Sequence, residues 1–135
     1  VTAPIAVVIP VHNRADLLTE TLDSLRAQSQ PDWECIVVDD GSQPAEARRI
    51  EALTADDHRF RIIHLQKVVG GSEARNTGLH ATASPHVVFL DSDDLLHPSA
   101  LEQRLEAFAE RPGLDFLVSP TYVLDTDIHQ STNLY

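Results

Sequence analysis

Four short stretches of this chain bring together side chains able to do chemistry. The sharpest is Asp91–Ser92–Asp93–Asp94, three carboxylates in four residues. Such a cluster is a hard oxygen-ligand set. It suits Mg²⁺ or Mn²⁺ where one or two carboxylates share the ion with substrate phosphates. The same residues would equally serve as a solvated turn, with Asp94 or a neighbour capping the next helix. Asp39–Asp40–Gly41–Ser42 offers a carboxylate to a nucleobase N–H or a ribose hydroxyl, or else a turn in which Asp and Ser bond local backbone. Gly70–Gly71–Ser72–Glu73–Ala74–Arg75–Asn76 sets glycines before a helix start, where phosphate is favoured, and an arginine able to grip an oxyanion through two N–H groups. An arginine in a surface ion pair reads the same way in sequence. The stretch matches neither the dinucleotide glycine fingerprint nor the P-loop, which needs Gly-Lys-Ser/Thr. The fourth stretch, His12–Asn13–Arg14, matters by position, directly after an apolar run.

Other reactive residue types lead nowhere. The seven histidines include no pair at i, i+4 and no zinc-type spacing. His64, His86 and His97 are expected to pack at loops or sheet edges. No serine stands in a Gly-x-Ser-x-Gly elbow, so a Ser-His-Asp hydrolase has no support. Cys35 falls inside an apolar run and reads as a small core residue.

The elements that must position these groups alternate. Ile5–Pro10 is a continuous apolar run, as in a strand buried on both faces. Asn13 is the expected N-cap of a helix with Asp16 in its first turn and Leu17, Leu18, Leu22 and Leu25 on one face. Trp33–Val38 reads as a second strand, Pro44–Leu53 as a helix with Pro in its first turn, and Phe60–Leu65 as a third strand. A short helix from Gly70 to His80, a fourth strand Val87–Leu90 and a helix Pro98–Glu110, stopped by Pro112–Gly113, follow. Phe116–Leu124 is expected to be a fifth strand, bent at Pro120. This alternation implies an α/β fold, a mostly parallel sheet with helices on both faces. Ligands of such sheets bind outside the carboxyl ends of the strands, where His12–Asn13–Arg14, Asp39–Asp40 and Asp91–Asp94 fall.

Length and charge narrow the partners. The 135 residues suit one domain with its own core, and 42% apolar with 23% charged residues is an ordinary globular composition, not that of a disordered chain. No apolar run approaches the roughly 20 residues of a spanning helix, and no signal peptide is visible. A formal charge of −11, with Lys67 the only lysine, argues against nucleic acid or an anionic membrane face as partner. A phosphorylated ligand still fits if a cation or helix ends supply positive charge. A single cysteine allows no internal disulfide and fits a reducing compartment, so a cytoplasmic setting is expected, with membrane association left to a longer protein.

Taken in order, Ile9–Pro10–Val11–His12–Asn13–Arg14, Ile36–Val37–Val38–Asp39–Asp40–Gly41–Ser42, Gly71–Ser72–Glu73–Ala74–Arg75–Asn76–Thr77–Gly78 and Phe89–Leu90–Asp91–Ser92–Asp93–Asp94 resemble the family 2 glycosyltransferases of GT-A fold, over roughly residues 3–124. The resemblance implies a nucleotide-diphospho-sugar donor, often a UDP-sugar, and Mg²⁺ or Mn²⁺. It implies that Pro10 and His12 line the nucleotide pocket, with Asn13 and Arg14 beside them. It puts Asp40, or alternatively Asp39, on the base, and Arg75 and Asn76 near the base or diphosphate. Asp91-Ser92-Asp93 would be the family's Asp-x-Asp motif, with Asp91 facing ribose or sugar and Asp93 on the metal. The family's catalytic base and acceptor contacts lie further on. The acids Asp125 and Asp127 do not resemble its downstream motif, so no catalytic base is named. The chain is therefore expected to be the donor-binding, N-terminal half of a longer inverting transferase acting on a saccharide, lipid or other hydroxyl acceptor. The alternative is a donor-binding module without turnover. A sheet cut short in this way would expose an edge and favour self-association. A receiver domain also carries an Asp pair and a later single Asp. Here, however, a strand precedes the pair, the gap from Asp40 to Asp91 is long, and no lysine follows Asp91.

Overall fold

A computed structural model describes residues 2–124 and 131–134. The acids of the 125–130 segment lie outside the described residues. Four parallel strands form the main sheet: β1 (Ile5–Val11), β2 (Glu34–Asp39), β3 (Phe60–His64) and β4 (His86–Phe89), in the order β3-β2-β1-β4. The two central strands are the two most continuous apolar runs, and Ala6 through Ile9 and Cys35 through Val38 are wholly buried. Their register sets Val7 opposite Cys35 on one side and Val88 on the other.

Helices cover both faces. Helix α1 (Ala15–Arg26) turns Leu18, Leu22 and Leu25 onto Val7, Ile9 and Val11, joined by Ile50 of α2 (Pro44–Thr54) and Leu101 of α4 (Ala100–Glu110). Helix α3 (Gly71–His80) lies on the other face, where Ala74 packs with Ile36 and Val38. Gly78 makes that approach possible. A Cβ at this position would stand 2.3 Å from Val8 Cγ1, inside any real contact distance. Burial of these apolar faces, at about 25 cal/mol per Å², is the main term holding the helices to the sheet. No helix among the described residues is long and apolar enough to cross a membrane.

Two expectations are corrected. Asn13 does not cap α1. It sits at φ +52°, Arg14 takes the N-cap position without a side-chain bond, and the Ala15 N–H is instead accepted by Glu46 Oε2 at 3.0 Å. Nor does 116–124 add a fifth strand to the sheet. Only Thr121–Leu124 (β5) is extended, paired antiparallel with Ser131–Leu134 (β6) as a separate ribbon. Phe116, Leu117 and Val118 are exposed, so this part of the expected strand enters no core, and Pro120 supplies no N–H to a ladder. Among helix α1's leucines, Leu17 also points outward.

Candidate functional site

The strand order reverses at β1, whose neighbours β2 and β4 are reached by chain runs on opposite faces. A crevice opens at the carboxyl ends of such a pair. The chain has a cleft of about 360 Å³ there, lined by Pro10, Val11, His12 and Arg14 from the β1 exit, Asp40 from β2, Gly71 and Arg75 from α3, and Asp91, Ser92 and Asp93 after β4. Residues from all four polar stretches therefore meet in one cavity.

The β1 exit is fixed by polar bonds. Asp40 N–H donates to the Val11 carbonyl (2.8 Å), and the His12 ring joins the Asp40 carbonyl through Nδ1 at 2.7 Å. Asn13 Nδ2 lies 3.1 Å from His12 Nε2. One neutral tautomer satisfies both contacts: Nδ1–H donates to the carbonyl and Nε2 accepts from the amide. Asn13 itself holds two loops together. Its N–H donates to Ser42 Oγ (2.9 Å), and its side-chain oxygen accepts from Gln43 N–H (2.8 Å). Asn13 and Asn76 do not line the cleft; Asn76 is on the exposed surface of α3.

The two adjacent aspartates have separate duties. Asp39, 2% exposed, lies away from the cleft, with Oδ2 2.8 Å from His64 Nδ1 and Oδ1 accepting the Ser42 N–H. His64 is bracketed on its other side by Glu51, 3.0 Å from Nε2. Asp40, 5% exposed, lines the cleft and accepts the N–H groups of Val69 (2.7 Å) and Gly70 (2.9 Å) on its two oxygens. It thereby pins the loop that leads into α3. Gly41 at φ +68° lets that loop close. A Cβ there would sit 2.8 Å from the Val68 nitrogen.

The aspartates after β4 are held differently. Leu90 N–H bonds the Val8 carbonyl, and Asp94 N–H turns back on the Asp91 carbonyl at 3.1 Å. Beyond the turn, the Leu96 N–H is accepted by Ser24 Oγ of α1, and buried Gln28 ties His97 and Leu101 to the end of α1. On this anchored turn Asp91 and Asp93 each meet an arginine from a different element. Arg75 Nη2 is 2.5 Å from Asp91 Oδ1, and Arg14 Nη1 is 2.7 Å from Asp93 Oδ2. Both pairs are open to solvent, with side chains 34% and 52% exposed in the first and 54% and 42% in the second. Exposed pairs of this kind are worth about 0–1 kcal/mol. Asp94 is raised above the usual carboxylate range, first by burial and then by the charges of Asp91 and Asp93. It does not cap α4, whose N-cap is Ser99.

Gly71, to which the sequence assigns no ligand of its own, lines the cleft with Val11 and Ser92. Its signal is its place in the glycine run before α3. Two histidines outside the site make structural contacts: His86 stacks on Phe108 at 4.7 Å and meets the Pro4 carbonyl, and His97 bonds Ser99. Cys35 is buried in β2, and burial pushes its thiol pKa far up, so it is inert.

A divalent ion can be tested against these donors. Among the described residues no three His, Cys, Asp or Glu side chains converge as a metal cage. Asp91 and Asp93 do present carboxylate oxygens to one cavity. That donor set fits a hard cation completed by ligand phosphates, and not one caged by protein alone.

Comparison with known proteins agrees with this architecture. The model of glycosyl transferase family 2 matches residues 6–132, and the chain belongs to that family. The uncharacterised glycosyltransferase EpsJ of Bacillus subtilis (strain 168) is 35% identical over 123 residues, 91% of this chain and 35% of EpsJ. The crystal structure of S. aureus TarS 1-349 in complex with UDP superposes with a TM-score of 0.73 at 28% identity, over 80% of this chain and 32% of that one. The same TarS fragment is also known in complex with UDP-GlcNAc. The mannosyltransferase PcManGT of Pyrobaculum calidifontis, solved with GDP-Man and Mn²⁺, shares the fold at 23% identity and a TM-score of 0.73, over 82% of this chain and 34% of that one. The fold is thus that of the GT-A transferases. The chain spans from 33% to 54% of the length of the first curated relatives it matches.

Proposed function

We propose that residues 1–135 are the donor-binding portion of a glycosyltransferase that takes a sugar from a nucleoside diphosphate, a UDP-sugar in particular, with the help of Mg²⁺ or Mn²⁺. The carrying observation is the meeting of Asp40, Arg75, Asp91 and Asp93 with Pro10, His12 and Arg14 around one cleft at the sheet's switch point. The TarS complexes with UDP and UDP-GlcNAc support a uridine donor at 28% identity.

In this reading the nucleoside enters beside Pro10 and His12, with Asp40 toward the base and Asn13 and Asn76 flanking. Asp39 is the lesser candidate for the base, since it does not line the cleft and Asp40 does. The diphosphate lies between Arg75 and Arg14, which donate to its oxygens. Asp91 orients ribose or sugar, and Asp93 with Asp91 holds the cation. When bound, the cation neutralises the charge that grows on the departing diphosphate. Transfer with inversion needs a base for the acceptor hydroxyl, and none of the residues named here takes that role.

UDP with Mn²⁺ should raise the melting temperature of the chain, by about 2.7 kcal/mol of stabilisation at a hundredfold excess over Kd. Asp93→Asn should remove the metal-dependent part of that shift. No shift with any nucleoside diphosphate and metal would overturn the proposal.

A further inference from the structure

The two acids read as metal ligands are each bonded to an arginine, and each arginine is one read as a phosphate ligand. We propose that Arg14 and Arg75 act as exchangeable internal counter-ions. They hold Asp93 and Asp91 until a diphosphate draws the guanidinium groups away, so that cation and nucleotide each bind more tightly in the presence of the other. This inference rests on the function proposed above.

Three observations carry it. Arg14 reaches Asp93 from a position 79 residues earlier in the chain, and Arg75 reaches Asp91 from a different helix, so the pairings come from the fold and not from local spacing. All four side chains are part-exposed at one cleft, so a guanidinium can turn from carboxylate to phosphate without unfolding anything. Two carboxylates make a weak site for a hard cation, whose remaining positions fall to water, so phosphate oxygens add to its hold. A free cation must therefore displace an arginine and gains few ligands in return. A cation carried by a diphosphate brings oxygens for itself and acceptors for both arginines.

The binding free energies are then linked: nucleotide raises the affinity for metal and metal raises that for nucleotide by the same factor. The test is Mn²⁺ binding to the chain, followed by the loss of the free-ion paramagnetic resonance signal, with and without UDP. Arg14→Gln should raise the affinity for Mn²⁺ alone by up to about fivefold, the upper end of what one exposed pair is worth, and should shrink the coupling factor with UDP. Arg14→Gln/Asp93→Asn should lose the gain. Arg48→Gln, on the exposed surface of α2, removes the same charge away from the cleft and should leave Mn²⁺ affinity unchanged. Unchanged or weaker Mn²⁺ binding by Arg14→Gln, in a chain that still binds UDP with Mn²⁺, would overturn the exchange while leaving the donor site standing. Absence of UDP–Mn²⁺ binding in the unaltered chain would overturn both.

Discussion

The two ends of the sheet use the same ingredients to opposite effect. At the amino end lies a larger concavity of about 650 Å³, bordered by Trp33, Glu34, Asp57 and Arg59. There Arg59 donates through Nε and Nη2 to Asp57, two residues away, and lays its guanidinium 3.9 Å from the Trp33 ring centroid. Trp33 is 2% exposed and packs edge-on to Phe60 at 5.3 Å. At the carboxyl end the cleft is smaller, and its arginine–aspartate pairs join distant elements in the open. At one end an arginine–aspartate pair is locked into a short loop around a buried ring; at the other, two such pairs are exposed and face a shared cavity. Size alone therefore does not mark a site: the pairs between distant elements, free to change partners, face the smaller cleft.

Removing Trp33 should show the difference most strongly. Trp33→Ala should cost about 3–5 kcal/mol of stability, as for other large aromatic truncations, measured by urea denaturation. At a temperature where the variant stays folded, UDP–Mn²⁺ binding should be unchanged. A specific loss of binding would break the division between the two ends. A smaller effect tests the locked pair. Asp57 is held down from an ordinary 3.8 to about 2, chiefly by the Arg59 hydrogen bond. A depressed acid stabilises the fold above its unfolded value and loses that contribution as pH falls toward the folded one. Asp57→Asn should thus lower stability by about 1 kcal/mol at neutral pH, with the gap to the unaltered chain closing between pH 4 and 2. The smallest effect belongs to the open end. Asp94 is shifted the other way, so its ionisation costs stability as pH rises. Asp94→Asn should raise the melting temperature slightly at pH 7 and not at all at low pH. A stabilisation that persisted at low pH would mean that the acid cluster is not the source.

The contrast also explains what the sequence can reveal. The central strands were legible because a run such as Ile5–Ile9 is apolar at every position, which only burial on both faces explains. Helix α1 was legible through Leu18, Leu22 and Leu25. The residue types of the site were legible as well, since three acids in four residues after a strand stand out. The partners were not. Arg14 finds Asp93 only through the strand order, and Asn13 gives up its cap for contacts with Ser42 and Gln43, about thirty positions on. Nor could sequence choose between Asp39 and Asp40. Neighbouring residues at a strand end point to opposite faces, and only the fold says that one faces His64 and the other the cleft. The 116–120 segment misled because an apolar stretch reads as a strand whether or not another strand waits beside it.

Gly78 has a further consequence. It touches Val8 of the sheet, not the cleft, yet it is one helical turn from Arg75 on the same rigid helix. The bore of the cleft mouth is thus gauged by a missing methyl behind its wall. A carbon added there would act as a shim, lifting Arg75 off Asp91 without changing the identity of any residue that lines the cleft, so the aperture can be tuned from the back of the molecule.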